Sequence, residues 1–209
     1  MTDKEILVHT KKENCFAIII RHSDKEQADK KPIDLMLTEI GKKKATDFGS
    51  KISTNKEIRL FYSFVKRCEE TADCIGKGYA GEVVQKKDEK ILAGHYLFDA
   101  KRVFAEADKV DKYSFMANWF EGMYNEQYLM NAYTARQMMI DTIVSNYNPK
   151  FLDIYVTHDW NVALLYSMHY NIKKKKYPWP EFMHGVSFFI NDGKFSIMCE
   201  AEKYIGLDF

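Results

Sequence analysis

Three things are scarce in this chain, and each scarcity removes a class of protein. Cysteines number only 4 in 209 residues. No two of Cys15, Cys68, Cys74 and Cys199 have Cys-x-x-Cys spacing, so a zinc ribbon or thioredoxin motif is excluded. Their scatter reads as free thiols in a reducing compartment. Charge of one sign is not in excess, because the formal net charge is +1. That balance gives no footing for nucleic acid or an anionic membrane surface as partner. No apolar run approaches the roughly 20 residues needed to span a bilayer. The first residues, Met1 to Lys12, are polar and lack an apolar signal core. The expectation is a soluble, cytoplasmic protein.

Repeats, low-complexity tracts and interdomain linkers are also missing, so residues 1–209 read as one domain. What the chain does have is ordinary globular composition, 46% hydrophobic and 29% charged, with enough Phe and Tyr for a large core. Cys15 to Ile20 is a continuous apolar run, which suits a strand buried on both faces. The polar stretch Ser23 to Pro32 follows, and its Lys-Pro step argues against helix. Thr38 reads as an N-cap with Glu39 in the first turn, and Ile40, Ala45, Phe48 and Ile52 as the buried stripe behind it. Leu60 to Ser63 reads as a strand, and Val65 to Ile75 as a helix ending near Gly76 and Gly78. Glu82 to Gln85 reads as a third strand.

Residues 93–131 are aromatic-rich without a clean period and read as a mostly helical cap. Tyr133 to Val144 reads as helix, Phe151 to Thr157 as the fourth strand, and Asn161 to Met168 as a helix capped by Asp159. Lys173 to Pro180 reads as a basic loop, its lysine run solvated. Val186 to Ile190 and Lys194 to Cys199 flank an Asp-Gly turn and read as a hairpin. Strands alternating with helices imply a layered α/β fold with a largely parallel sheet and an antiparallel edge.

His22 and His158 each end an apolar run, and Arg67 follows the end of a third. In an open α/β sheet such strand ends share one rim, where ligands bind. Two imidazoles on a rim with Arg21 and Arg67 point to an anionic substrate and histidine chemistry. His9, His95 and His169 have no partner by spacing and read as structural, as does His184 despite its place before Gly185.

Arg21-His22, Leu37-Thr38-Glu39-Ile40-Gly41, Ser63-x-x-x-Arg67-x-x-x-Thr71-Ala72 and Val156-Thr157-His158-Asp159 occur in that order. Together they resemble the motifs of the histidine phosphatase superfamily, which includes phosphoglycerate mutase-like and acid phosphatase-like enzymes. The resemblance implies a three-layer α/β/α sandwich with a small helical cap insertion, about 93–131. It implies a metal-independent phosphatase with no cofactor, acting on a small phosphorylated substrate. His22 would be the nucleophile that forms a phosphohistidine, its other ring nitrogen fixed by the carbonyl of the next residue. Arg21, Arg67 and His158 would hold the phosphoryl oxygens, with Lys25 as a further phosphate ligand. Asp159 would be the general acid, or else Glu106, Glu121 or Asp99.

The chain departs from the family pattern at Ser23, where glycine is usual, and at Lys25, where acid phosphatases carry arginine. Lysine neutralises a phosphate but does not grip it bidentately. A phosphoglycerate mutase-like phosphotransferase and a non-catalytic binder of phosphorylated ligands stay open as alternatives. So does a metal-dependent hydrolase using His22, Asp24, His158 and Asp159.

Overall fold

The computed structural model describes residues 1–27, 32–200 and 203–207. Its centre is a 7-stranded sheet. The strands are β1 (Cys15–Arg21), β2 (Glu57–Tyr62), β3 (Val83–Asp88), β4 (Phe151–Thr157), β5 (Gly185–Asn191), β6 (Lys194–Met198) and β7 (Tyr204–Gly206). They lie in the order β3-β2-β4-β1-β5-β6-β7. The first four in that order run parallel, and β5, β6 and β7 continue the sheet antiparallel from β1. The antiparallel part is therefore wider than the expected hairpin, because β7 adds to it.

The period of two along β1 explains the layering. Ile18 and Ile20 face one side, packing with Ile58, Leu60, Leu152, Ile154 and Val156 under α1 (Asp3–His9), α2 (Glu39–Lys51) and α3 (Lys66–Gly78). Ala17 and Ile19 face the other side, with Phe61, Tyr155, Val186 and Phe188. That side is covered by α4 (Ala100–Ala107), α5 (Lys112–Phe120), α6 (Ala132–Ser145) and α7 (Asp159–Tyr166). A strand buried on both faces must be apolar throughout, which is why Cys15 to Ile20 carries no alternation.

Thr38 caps α2 as expected, its hydroxyl accepting from the Gly41 amide at 2.9 Å. Of the expected stripe on that helix, Ala45, Phe48 and Ile52 are buried and Ile40 is not. Ile40 is 67% exposed, and Gly41, Ala45, Phe48 and Gly49 face the core. The cause is close approach: a Cβ on Gly41 would clash with the carbonyl of Asp24 in the segment after β1. Asp159 is the first residue of α7 rather than its cap, and the cap position falls to His158. The strand expected at Glu82 to Gln85 runs Val83–Asp88 and is mostly exposed. Ser23 to Gln27 is non-helical as expected, whereas the Lys31 side of the Lys-Pro step lies outside the described residues. Asp192 and Gly193, with φ of 49° and 75°, make the hairpin turn that Asp-Gly favours. All four cysteines are free and buried. Among the described residues no helix is long and apolar enough to cross a membrane.

Gly41→Ala is expected to destabilise the fold by about 2 kcal/mol or more by forcing α2 off the Asp24 carbonyl. Ile40→Ala is expected to stay within about 0.5 kcal/mol of the parent. Urea denaturation of both variants checks that Gly41, and not Ile40, belongs to the buried face.

Candidate active site

Strand β4 lies between β1 and β2, so the three chain segments leaving their ends are neighbours. The ladders continue one residue beyond the strands. The His22 amide donates to the Thr157 carbonyl at 2.8 Å, and the Ser63 amide to the Val156 carbonyl at 3.0 Å. His22, His158 and Ser63 therefore leave the sheet side by side. Arg67, in the first turn of α3, reaches back over them.

The contacts fix the proton positions. Nδ1 of His22 is 2.8 Å from the Ser23 carbonyl, which can only accept, so Nδ1 carries the ring proton. Nε2 is then a lone pair, and it accepts from Nε of Arg67 at 2.9 Å. The same guanidinium places Nη2 3.2 Å from Nδ1 of His158. Arginine has no acceptor, so that nitrogen is also a lone pair. Nε2 of His158 accordingly donates to the Ser63 hydroxyl at 3.0 Å. The two rings stand edge to face, 5.6 Å between centroids.

Both imidazoles are held neutral. Burial pushes His22 well below the usual histidine range, and its electrostatic interactions with the neighbouring His158 and with the Arg67 cation lower it further. Burial, then Arg67 and Arg21, lower His158 to about 3. Beneath His158 the Cys68 thiol lies 3.7 Å from Nε2, and burial raises it to about 12, so it packs there as a neutral group.

Arg21 forms the opposite side. Its Nη1 donates to the Pro180 carbonyl at 2.8 Å, and its guanidinium lies 4.2 Å over the Phe182 ring. Its Nη2 is 3.6 Å from Asp159 Oδ2. Asp159 also accepts from the Trp160 amide on Oδ1 at 3.0 Å and from the Trp179 indole on Oδ2 at 3.3 Å. Lys25 stands within the fields of Arg67, Arg21 and Asp159, and burial lowers its pKa. Among the described residues Arg21, Lys25 and Arg67 thus gather around Asp159, and their positive charge attracts an anion.

Residues named from sequence, Arg21, His22, Lys25, Arg67, His158 and Asp159, are brought together here. The other carboxylates lie at or near the ends of α4 and α5. Asp99 caps α4, Glu106 pairs with Lys109, and Glu121 is the exposed C-cap of α5. Asp24 is bound to Lys44 at 2.9 Å. Among the described residues no group of three or more His, Cys, Asp or Glu side chains is placed to share a metal ion.

Ser23 proves compatible with its position. It does not have a positive φ, its hydroxyl donates to the Gly41 carbonyl at 2.8 Å, and its amide donates to Thr71 Oγ1 at 3.1 Å. Thr71 in turn donates to the Arg67 carbonyl at 2.7 Å, tying His22's neighbour to the helix of Arg67. The other histidines have local partners. His9 meets Ser187, His95 bridges the carbonyls of Ile91 and Ala135, and His169 pairs with Glu200. The His184 ring lies in the fields of the Met1 amino group, Asp3 and Glu181.

Sequence reasoning missed Ser63 as a partner of His158, and the whole wall formed by Trp179, Pro180 and Phe182. Ser63 stood inside a motif without a role. The wall lies next to a lysine run that is indeed exposed, and no periodicity marks where exposure ends.

No family model matches the sequence, and no curated protein matches it. Solved structures do match its fold. YhfR of Bacillus stearothermophilus aligns over 90% of this chain and 96% of its own, with TM-score 0.60 and 17% identity. A phosphoglycerate mutase from Bacillus anthracis aligns over 89% and 93%, with TM-score 0.58 and 17% identity. A phosphoserine phosphatase from Entamoeba histolytica, solved in complex with 3-phosphoglyceric acid, aligns over 90% and 95%, with TM-score 0.55 and 17% identity.

The buried neutral imidazoles make stability depend on pH. A histidine whose folded pKa is depressed binds its proton first in the unfolded chain, so acid favours unfolding. His22, His158 and His9, the last lowered to about 4 by burial, all act in this sense. Stability is expected to be full above about pH 6.5. It should fall between there and about pH 4 by up to roughly 1.4 kcal/mol per pH unit for each of these groups. Denaturant titrations at pH 7.5, 6 and 5 measure the slope. A flat profile would show that these rings take up protons as readily in the folded protein as in the unfolded chain.

Proposed function

Taking as premise that this chain has the fold of the histidine phosphatase superfamily, which those solved structures share, we propose that it is a metal-independent phosphatase. It hydrolyses a small phosphomonoester through a phosphohistidine on His22. One observation carries the reading. The Arg67 guanidinium spans the lone pairs of both imidazoles, while the Ser23 carbonyl holds the His22 proton on the far nitrogen.

A phosphoryl group entering beside Arg67 takes its N–H donors and presents phosphorus to Nε2 of His22. Arg21 and Lys25 neutralise the remaining charge, as phosphoryl transfer demands. His158 borders the same space through its contact with Arg67. Nε2 forms the P–N bond as the ester P–O bond breaks, and the leaving oxygen takes a proton from Asp159. Water then attacks the phosphohistidine and returns a proton to the Asp159 carboxylate. The P–N electron pair goes back to Nε2, and inorganic phosphate leaves. Residues 93–131 serve as the cap beside this site, where the Phe104 ring rests 5.9 Å from that of Trp160, the neighbour of Asp159. The free, buried cysteines accord with a reducing, cytoplasmic setting.

Because burial keeps His22 unprotonated, loss of the nucleophile's lone pair limits turnover only well below pH 6.5. Turnover of p-nitrophenyl phosphate is expected to survive a chelator. In His22→Ala it should fall by at least about a thousandfold. Protein quenched during turnover of labelled substrate should carry an acid-labile adduct. Activity dependent on a divalent cation, or turnover without the adduct, would overturn the reading. Isomerised ester without free phosphate would indicate a mutase.

A further inference from the structure

The wall of the site beside Arg21 is an irregular segment, Tyr177 to Met183, and its grip on the site is unusually dense. Pro180 takes a hydrogen bond from Arg21 through its carbonyl, and Phe182 lies against both the Arg21 guanidinium and the His22 ring. The Met183 amide donates to the Arg21 carbonyl at 3.2 Å, and Met183 adopts φ of 64°, a conformation costly for a non-glycine residue. Trp179 sits between Pro178 and Pro180. A proline fixes its own φ and restricts the residue before it to extended backbone, so the indole hangs from a stiff support.

Side-chain packing stiffens it further. Trp179 is 6% exposed, with the Tyr113 ring edge-on at 5.4 Å and the Lys112 ammonium 4.7 Å from its centroid. Its single polar atom, Nε1, donates to Oδ2 of Asp159 at 3.3 Å. An indole N–H can only donate. With the Trp160 amide on Oδ1, two fixed donors set the plane of the Asp159 carboxyl.

We propose that Trp179 is the positioning residue for proton transfer, holding the Asp159 carboxyl in the orientation from which it protonates the leaving oxygen. The inference rests on Asp159 being the acid in the function proposed above. Trp179 does not touch the reacting atoms. It acts through Asp159, and the same short segment sets the phosphate clamp through Arg21.

Leaving-group chemistry separates this role from a merely structural one. p-Nitrophenolate leaves with little help, whereas a glycerol alkoxide needs its proton. In Asp159→Ala, hydrolysis of glycerol phosphate is expected to fall about a hundredfold more than that of p-nitrophenyl phosphate. In Trp179→Phe the extra fall should be about fivefold, carried by kcat rather than KM. The double variant should match Asp159→Ala alone, since an indole without its carboxylate has nothing to orient.

Equal losses on both substrates in Asp159→Ala would overturn the acid role and this inference with it. Discrimination in Asp159→Ala combined with equal losses in Trp179→Phe, or with additive losses in the double variant, would overturn only the positioning role. Should Trp179→Phe fail to fold, the indole N–H resonance decides, since the chain has only 3 tryptophans to assign. In Asp159→Ala the Trp179 signal is expected to move upfield, and an unmoved signal would refute the contact.

Discussion

Everything at this site depends on the placement of β4 between β1 and β2. Two backbone hydrogen bonds, from His22 to Thr157 and from Ser63 to Val156, carry the sheet's ladders past the ends of the strands. They bring together groups that sit more than forty and ninety residues apart in sequence. Backbone pairing of this kind tolerates little drift, because a one-residue slip turns every side chain to the opposite face. The geometry of His22 is thus set by the sheet itself. The fully buried isoleucines 18, 19 and 20, facing alternate layers, resist any such slip.

On that base the polar groups order one another without a surplus of negative charge. The Ser23 carbonyl assigns the proton on His22, Arg67 assigns the lone pair on His158, and Ser63 receives the proton that remains. Thr71 links Ser23 to the backbone of Arg67. Each contact is individually modest, but in a buried network each also fixes the direction of the next. Desolvation keeps both rings neutral, so the cations supply the site's charge and the imidazoles supply its lone pairs.

The central strands β1 and β4 were legible because a strand buried on both faces has an unmistakable composition, whereas β2 and β3 were bounded differently and β7 was missed. Phe151 to Thr157 was bounded correctly to the residue. The helix start at Thr38 was legible because capping is a local hydrogen bond. Ala45 and Phe48 on α2 and Ile52 at its end were legible too, but Gly41 in place of Ile40 was not, since it depends on how near Asp24 comes to Gly41, and that distance belongs to the packing of two segments. Asp159 was placed beside the right helix but in the wrong position on it, as N-cap and first-turn residues share the same acidic preference. The gathering of Arg21, His22, Arg67 and His158 was foreseen from the shared rim and from ordered motifs. The Trp179 wall was not, because an irregular segment has no period, and its fit to Arg21 and Asp159 exists only in three dimensions.

Ser23 illustrates how a departure from a pattern is to be weighed. Glycine is irreplaceable where φ is positive or where a neighbouring backbone leaves no room for Cβ. Neither condition holds at Ser23. Its hydroxyl finds an acceptor in the carbonyl of Gly41, the residue whose own lack of Cβ lets α2 come this close. The glycine that matters for closeness is therefore Gly41. Ser23 spends its side chain on the junction between α2 and the segment after β1, and leaves its carbonyl free for His22. Serine at this position adds a hydrogen bond to the frame and leaves the carbonyl contact with His22 intact.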